Sequence, residues 1–169
     1  MKKLSFALLF AVLSVGFIEC DEVRQSAPSA LAKNTDGGVE MVAPSETLAG
    51  LFGSTETVYK QGRAVEHVID YASFTVEGEQ DYFYAVAKGT DSEGQCFTKS
   101  IPLRVTSDGL IGPLGEGLDA AKEPGDTHAC TGAPYSDCDF TRNGEGEIQG
   151  CECSDGPVNG FCNHTITSG

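Results

Sequence analysis

Three cysteines and a histidine lie close together near the C-terminus, in the segment CECSDGPVNGFCNH (residues 151–164). Thiolates and imidazoles are ligands that zinc and copper prefer, a pair of thiols can exchange electrons, and two thiols in an oxidising compartment form a disulfide. The chain has seven cysteines, five of them within residues 128–169. Which chemistry applies depends on the compartment in which the chain folds, because cytosolic thiols stay reduced.

The N-terminus is typical of a secretory signal peptide. Lys2 and Lys3 precede Leu4–Ile18, an uncharged and almost wholly apolar run of 15 residues. A membrane-spanning helix needs about 20 apolar residues, so the run favours a cleaved signal over a permanent anchor. No second apolar segment of this kind follows. We therefore predict an exported protein, with residues 1–19 as its signal peptide.

The end of this run suggests how the mature protein is held. The stretch Phe17–Cys20 resembles a bacterial lipobox, the signal in which cleavage leaves a lipid-carrying cysteine as the first residue. Asp21–Glu22 resembles the acidic export tags on surface lipoproteins of Bacteroidota-type bacteria. Together these resemblances imply a lipid on Cys20 and an anchor in the outer membrane or at the cell surface. The alternative is ordinary cleavage after the triplet Ser14–Gly16, whose small outer residues suit a signal peptidase.

The other cysteines have the parity that a disulfide framework requires. Setting Cys20 aside leaves an even set: Cys96, Cys130, Cys138, Cys151, Cys153 and Cys162. Strain disfavours a bridge between Cys151 and Cys153, which one residue separates, but many connectivities remain open.

A hairpin narrows these connectivities. Residues 140–148, with Asn143-Gly144 at the turn, have the pattern of a β-hairpin. This hairpin would bring Cys138 close to Cys151 and Cys153, so we predict that Cys138 bonds one of these two. Cys96, in the sheet that precedes the tail, would tie the tail to the core.

Two alternatives to disulfides use the same cysteines. A metal site would draw on Cys151, Cys153, Cys162 and His164, with zinc or copper as the ion. Structural zinc ligands are commonly paired about two to four residues apart, and the spacings Cys-x-Cys and Cys-x-His do not match that rule. A redox site would use Cys151 and Cys153 as a dithiol, but the acidic residues around them disfavour a thiolate. We therefore favour disulfides and predict no cofactor.

A resemblance supports this interpretation. The segment CTGAPYSDCDFTRNGEGEIQGCECSDGPVNGFCNHTI (residues 130–166) is similar to the C-terminal tails of small secreted proteins and lipoproteins of Bacteroidota-type bacteria. They share a CxG opening, an SxC step, a Gly-Cys-x-Cys step and a closing Cys-Asn-His-Thr. The resemblance implies export and a disulfide framework, and it implies no activity.

The rest of the chain predicts a mainly β protein in several parts. Residues 20–57 are rich in Ser, Gly, Thr and Pro, and we interpret them as a flexible tether. Residues 58–118 have β-branched and aromatic runs of period two, which predict a small antiparallel sheet domain. Residues 119–169 have few aliphatic side chains, so we expect a disulfide-stabilised, loop-rich C-terminal module.

Charge and motifs limit the function classes. The net charge is −14 at pH 7, which disfavours nucleic-acid binding and favours cationic or basic partners. His67, Asp70 and Ser73 lie in one strand-like run, and we interpret them as exposed polar positions rather than a triad. The sequence has no G-x-S-x-G, H-E-x-x-H or phosphate-loop motif. We therefore predict a non-catalytic binding or accessory protein of the cell envelope, in contact with the membrane through its lipid and with an envelope protein as partner.

Overall fold

A computed structural model gives the fold, and it describes residues 30–60, 63–80, 82–113, 125–156 and 159–168. Over these residues the protein is mainly β, with one short helix. No helix within these ranges has the length and apolar character needed to cross a membrane. The signal segment and Cys20 lie outside the described residues, so export and lipidation stay predictions.

The elements are numbered in chain order. The N-terminal part contains β1 (Ala32–Thr35), β2 (Gly38–Met41), α1 (Ser45–Ala49) and β3 (Thr55–Lys60). The central part contains β4 (Arg63–Glu79), β5 (Tyr82–Asp91), β6 (Cys96–Val105) and β7 (Leu110–Gly112). The C-terminal part contains β8 (Thr127–Ala133), β9 (Asp137–Arg142), β10 (Ile148–Ser154) and β11 (Phe161–Thr167).

The main sheet is antiparallel and branches at β6. Its strand order is β2-β1-β7-β6-β5-β4-β3. Cys96–Ser100, the first half of β6, pairs with β8, whereas Arg104 and Val105 at its end pair with β7. β8 also pairs with β11, and β9 pairs with β10 in a separate two-stranded sheet. β8 and β11 of the C-terminal part therefore extend the same sheet to which the N-terminal strands belong.

Both faces of β5 are buried, because successive side chains of a strand point to opposite sides of the sheet. Phe83, Ala85 and Ala87 face one core, and Tyr84 and Val86 face the other. The first core also contains Leu31, Ala32, Leu48, Leu103 and Ile111. The second core also contains Cys96, Cys130, Cys138, Phe140 and Ile148. The N-terminal segment thus covers one face of the sheet and the cysteine-rich strands cover the other.

The prediction of a flexible tether over residues 20–57 is wrong for the part that the structure describes. Leu31 and Leu48 are fully buried, and the backbone N–H of Leu31 donates a 2.7 Å hydrogen bond to the carbonyl of Ile111. The turn residues near Asn34 close the β1–β2 hairpin, in which Thr35 pairs with Gly38. A few apolar side chains suffice to hold this segment, because residues far away in the sequence provide a face on which they pack.

The predicted boundary between a small β domain (58–118) and a Cys-rich tail module (119–169) falls at residues outside the described ranges. β8 lies beside β6, with Cys130 opposite Thr98, so the tail continues the sheet. The broader prediction is confirmed: the protein is mainly β and antiparallel, and its C-terminal region carries disulfides.

The predicted hairpin over residues 140–148 is confirmed. β9 and β10 pair antiparallel, with Arg142 opposite Ile148. The side-chain oxygen of Asn143 accepts hydrogen bonds of 3.0 Å from the backbone N–H groups of Glu145 and Glu147, which fixes the turn. The resulting register places Cys138 directly opposite Cys153.

Candidate functional site: a cluster of cysteines

Six cysteines from five strands lie close together in the structure. Cys96 begins β6, Cys130 lies on β8, Cys138 on β9 and Cys162 on β11. β10 supplies both Cys151 and Cys153, which face the same side because they are two residues apart in a strand. Five of these side chains lie in or against the second core, which also contains Tyr84 and Phe140, and the sulfur of the exposed Cys162 lies 4.0 Å from that of Cys130.

Three disulfides join these cysteines. The pairs are Cys96–Cys138, Cys130–Cys151 and Cys153–Cys162. Their Cα atoms are 5.6, 5.8 and 5.8 Å apart, within the usual separation of about 5.5–6 Å. The prediction that these six residues form bridges is confirmed, as is the prediction that Cys151 and Cys153 do not bond each other. Cys96 joins the tail to the sheet, also as predicted.

The predicted partner of Cys138 is wrong. The hairpin does bring Cys138 and Cys153 together, with their sulfur atoms 3.5 Å apart, but Cys138 bonds Cys96 and Cys153 bonds Cys162. The start of β6 lies against the segment before β9, where the N–H of Cys96 donates a 3.3 Å hydrogen bond to the carbonyl of Tyr135. This contact joins residues distant in sequence, and the local hairpin pattern carries no information about it.

The sulfur atoms of the three disulfides form one continuous cluster. Between different bridges, Cys138 and Cys153 are 3.5 Å apart, Cys151 and Cys162 are 3.8 Å apart, and Cys130 and Cys162 are 4.0 Å apart. Each of these sulfur atoms therefore touches a sulfur of another bridge. The cluster is graded in exposure: Cys96, Cys130 and Cys138 are buried, Cys151 and Cys153 are half-buried, and Cys162 is exposed.

Gly132 makes this close packing possible. It lies on β8 between two cysteines, opposite Cys96 on one neighbouring strand and Cys162 on the other. A β-carbon at this position would lie only 2.5 Å from the sulfur of Cys153 and 3.1 Å from that of Cys138. The absence of a side chain at Gly132 thus provides the space that these sulfur atoms fill. The sequence pattern did not identify this role.

His164 does not join the sulfur cluster and instead faces His128. Their rings stack at 5.1 Å between centroids, with Nδ1 of His128 3.0 Å from Nε2 of His164. Burial lowers the pKa of both rings, and the neighbouring charge of His164 lowers the pKa of His128 further. Phe140 and Tyr84 pack around this pair. The pair therefore favours neutral imidazoles.

The structure changes the ligand set of the metal alternative. Of the four predicted ligands, Cys151, Cys153 and Cys162 are brought together, but the fourth sulfur within 4.8 Å of all of them belongs to Cys130, in place of a nitrogen of His164. The mirrored motifs His128-x-Cys130 and Cys162-x-His164 could have indicated Cys130 as a candidate ligand. In the antiparallel pair of β8 with β11, Cys130 lies directly opposite His164 and therefore close to Cys162.

The interpretation of His67 as an exposed polar residue is wrong, whereas Asp70 and Ser73 are exposed as predicted. His67 is buried, and its Nδ1 lies 2.7 Å from Oδ2 of Asp91. The other oxygen of Asp91 accepts 2.9 Å hydrogen bonds from the N–H groups of Glu93 and Gln95, which form the turn between β5 and β6. This pair therefore links β4 to that turn and stabilises the fold.

Comparisons with known proteins give no information on the function of this chain. No protein-family model matches the chain, and no curated protein and no solved structure matches it. The similarity of the tail to bacterial secreted proteins and lipoproteins stays a prediction.

Proposed function

We propose that the chain is an exported, non-catalytic binding or accessory protein of a bacterial cell envelope, anchored by a lipid on Cys20. The observation that carries this proposal is the complete pairing of the six described cysteines into three disulfides. Stable disulfides are a property of proteins that fold outside the reducing cytosol. They support the export that the segment Lys2–Ile18 predicts.

Cys20 has a separate chemical role in this proposal. The chain has seven cysteines, and the other six already have covalent partners, so no cysteine of the same chain is left to bond Cys20. A thioether to a lipid uses this sulfur without disturbing the bridges. Several acyl chains on one residue hold a protein to a membrane far more firmly than a single chain does.

The charge of the surface supports a partner class. On the outer face of the β9–β10 hairpin, Asp139 lies directly opposite Glu152, and Asp137 follows on the same face. Like charges in opposed cross-strand positions destabilise a sheet, and Lys88 offsets one of them through a 2.8 Å ion pair with Asp139. With a net charge of −14, the chain suits a basic protein surface and repels polyanions such as nucleic acids.

Affinity capture from envelope extracts tests the binding role. The variant Asp137→Asn/Glu152→Gln removes two exposed charges from the hairpin face, and Asp36→Asn/Glu40→Gln removes the same charge from the β1–β2 hairpin as a matched control. We expect the wild-type chain and the control to retain a basic partner that the first variant loses, and we expect added salt to weaken the capture. Capture of no envelope protein by the wild-type chain would count against the proposal.

Detergent phase partition tests the anchor separately. We expect the mature wild-type chain in the detergent phase despite its charge, and a Cys20→Ser variant either unprocessed or in the aqueous phase. The three bridges should form in both chains. A mature wild-type chain that begins at Phe17 and stays aqueous would exclude the lipid.

A further inference from the structure

Four sulfur atoms of the cluster, joined in two disulfides, lie close enough together to bind one tetrahedral metal ion once both bridges are opened. The Sγ atoms of Cys130, Cys151, Cys153 and Cys162 are all within 4.8 Å of one another. Between the two bridges that these residues form, the sulfur of Cys162 is 3.8 Å from that of Cys151 and 4.0 Å from that of Cys130. With Zn–S bonds of about 2.3 Å, tetrahedral geometry places sulfur ligands about 3.8 Å apart. The two distances from the sulfur of Cys162 to the other bridge therefore match those of a zinc–tetrathiolate site.

We propose that the chain has a second, reduced state in which these four cysteines bind one zinc ion. Each of the bridges Cys130–Cys151 and Cys153–Cys162 takes two electrons and two protons from a dithiol, which leaves as a disulfide. Zinc then displaces the four thiol protons and binds the four thiolates. The bridged state and the zinc-bound state exclude each other, because the same sulfur atoms serve both.

The strands hold this ligand set without a change of register. Cys151 and Cys153 are alternate residues of β10, so both sulfur atoms lie on one side of that strand. The Cys-x-Cys spacing, which does not fit a zinc site built on a turn, therefore fits a site built on a strand. Cys130 on β8 and Cys162 on β11 come from paired neighbouring strands, since Cys162 lies opposite Gly132. Only the two bonded sulfur pairs have to separate, through rotation of their side chains.

Exposure and charge suit this exchange. Cys162 is exposed and both cysteines of β10 are half-buried, so a reductant and an ion can reach these three, while Cys130 is buried beneath them. The third bridge, Cys96–Cys138, is buried at both ends, and we expect it to stay closed under mild reduction and to hold β6 against β9. The net charge of −14 raises the local concentration of cations.

Native mass spectrometry of the full mature chain tests the proposal. A phosphine reduces the bridges by giving two electrons to each disulfide, and reaction with water converts it to the phosphine oxide while supplying the protons. Zinc sulfate is then added in a buffer that does not bind zinc. We expect one zinc ion per mildly reduced chain, with the Cys96–Cys138 bridge retained, and none on the untreated chain. Cobalt(II) in place of zinc should give the visible absorption of a tetrahedral thiolate complex.

Two variants make the ligand assignment specific. Cys162→Ser removes the exposed ligand and should lower the zinc affinity of the reduced chain at least about tenfold. His164→Ala removes a nearby ligand type that lies outside the set, and it should leave the affinity unchanged. Because a reduced chain can lose structure, urea unfolding followed by circular dichroism is the second readout: zinc should raise the midpoint of the reduced wild-type chain and not that of Cys162→Ser.

Several outcomes would overturn the proposal. They are zinc binding well below one equivalent by the reduced wild-type chain, unchanged affinity in Cys162→Ser, lost affinity in His164→Ala, and equal binding by the untreated chain. Envelope capture is measured on the oxidised chain, so the failure of one proposal can be distinguished from the failure of the other.

Discussion

Replacement of Gly132 by alanine tests how tightly the sulfur cluster is packed. Gly132 lies within β8 and its φ is not positive, so the backbone accepts alanine and any penalty comes from the added methyl group. That carbon would lie 2.5 Å from the sulfur of Cys153 and 3.1 Å from that of Cys138. Such atoms normally approach to about 3.5–4.0 Å. The sulfur of Cys153 would therefore have to move by about 1 Å.

Little freedom exists for that movement. Cys153 is bonded to Cys162, and the sulfur of Cys138 lies 3.5 Å away. Added atoms in a packed core usually cost about 1–3 kcal/mol. We expect Gly132→Ala to lower the free energy of unfolding by about 3 kcal/mol, at the upper end of that range, because the displaced atom is held covalently.

Urea unfolding without reductant is the assay, with Gly144→Ala as the matched control. A β-carbon at Gly144 would meet no atom within 4 Å, so this change should stay within about 0.5 kcal/mol. Both variants restrict the unfolded chain equally, and that contribution cancels between them. Reduction frees the sulfur of Cys153 to rotate away, so the difference in unfolding free energy between the two variants should be smaller in reduced chains. Disulfide mapping shows whether Gly132→Ala keeps the Cys153–Cys162 bridge. Equal midpoints for the two oxidised variants would refute the reasoning.

Two other perturbations act on histidines. Asp91→Ala removes the partner of buried His67 and the acceptor for two backbone N–H groups. Urea unfolding should therefore show that the free energy of unfolding falls by about 3–5 kcal/mol. A fall no larger than that caused by the exposed substitution Asp70→Ala would contradict this role. Folding lowers the pKa of His128 and His164 below the ordinary value of 6.5, so the unfolded chain binds more protons and stability falls as the pH is lowered through about 6.5. Unfolding measured between about pH 8 and pH 5 checks this; His164→Gln should flatten the decline, and an unchanged slope would contradict it.

Local patterns predicted the parts of the fold that local forces determine. The hairpin of residues 140–148 follows from its Asn143-Gly144 turn and the apolar residues on its two arms, and it correctly places Cys138 beside Cys153. The parity of the cysteines correctly predicts that six of them pair. Each of these inferences needs only neighbours in sequence or a count.

The misses share one cause, which is contact between distant segments. Leu31 and Leu48 stand among linker-like residues, and only the sheet face built by β5, β6 and β7 makes them core residues. The choice of Cys96 as the partner of Cys138 depends on how β9 packs on the sheet, across 42 residues of sequence. His67 lies in an alternating run, and its partner Asp91 is the last residue of β5, 24 residues later. Composition and periodicity carry no information on such pairings.

If the proposed lipid on Cys20 anchors the chain, the burial of Leu31 limits how far the folded part can lie from the membrane. The interpretation of residues 20–57 as a tether would have allowed a reach of about 130 Å at full extension. Because Leu31 is fixed in the core, a lipid on Cys20 leaves at most about 40 Å of extended chain to the nearest packed residue. With the proposed lipid in place, the acidic folded part would lie near the anionic headgroups. Repulsion within about one Debye length, about 8 Å, would then favour orientations that turn its carboxylates away from the bilayer. In that case the membrane would help to determine which face of the protein is open to a partner.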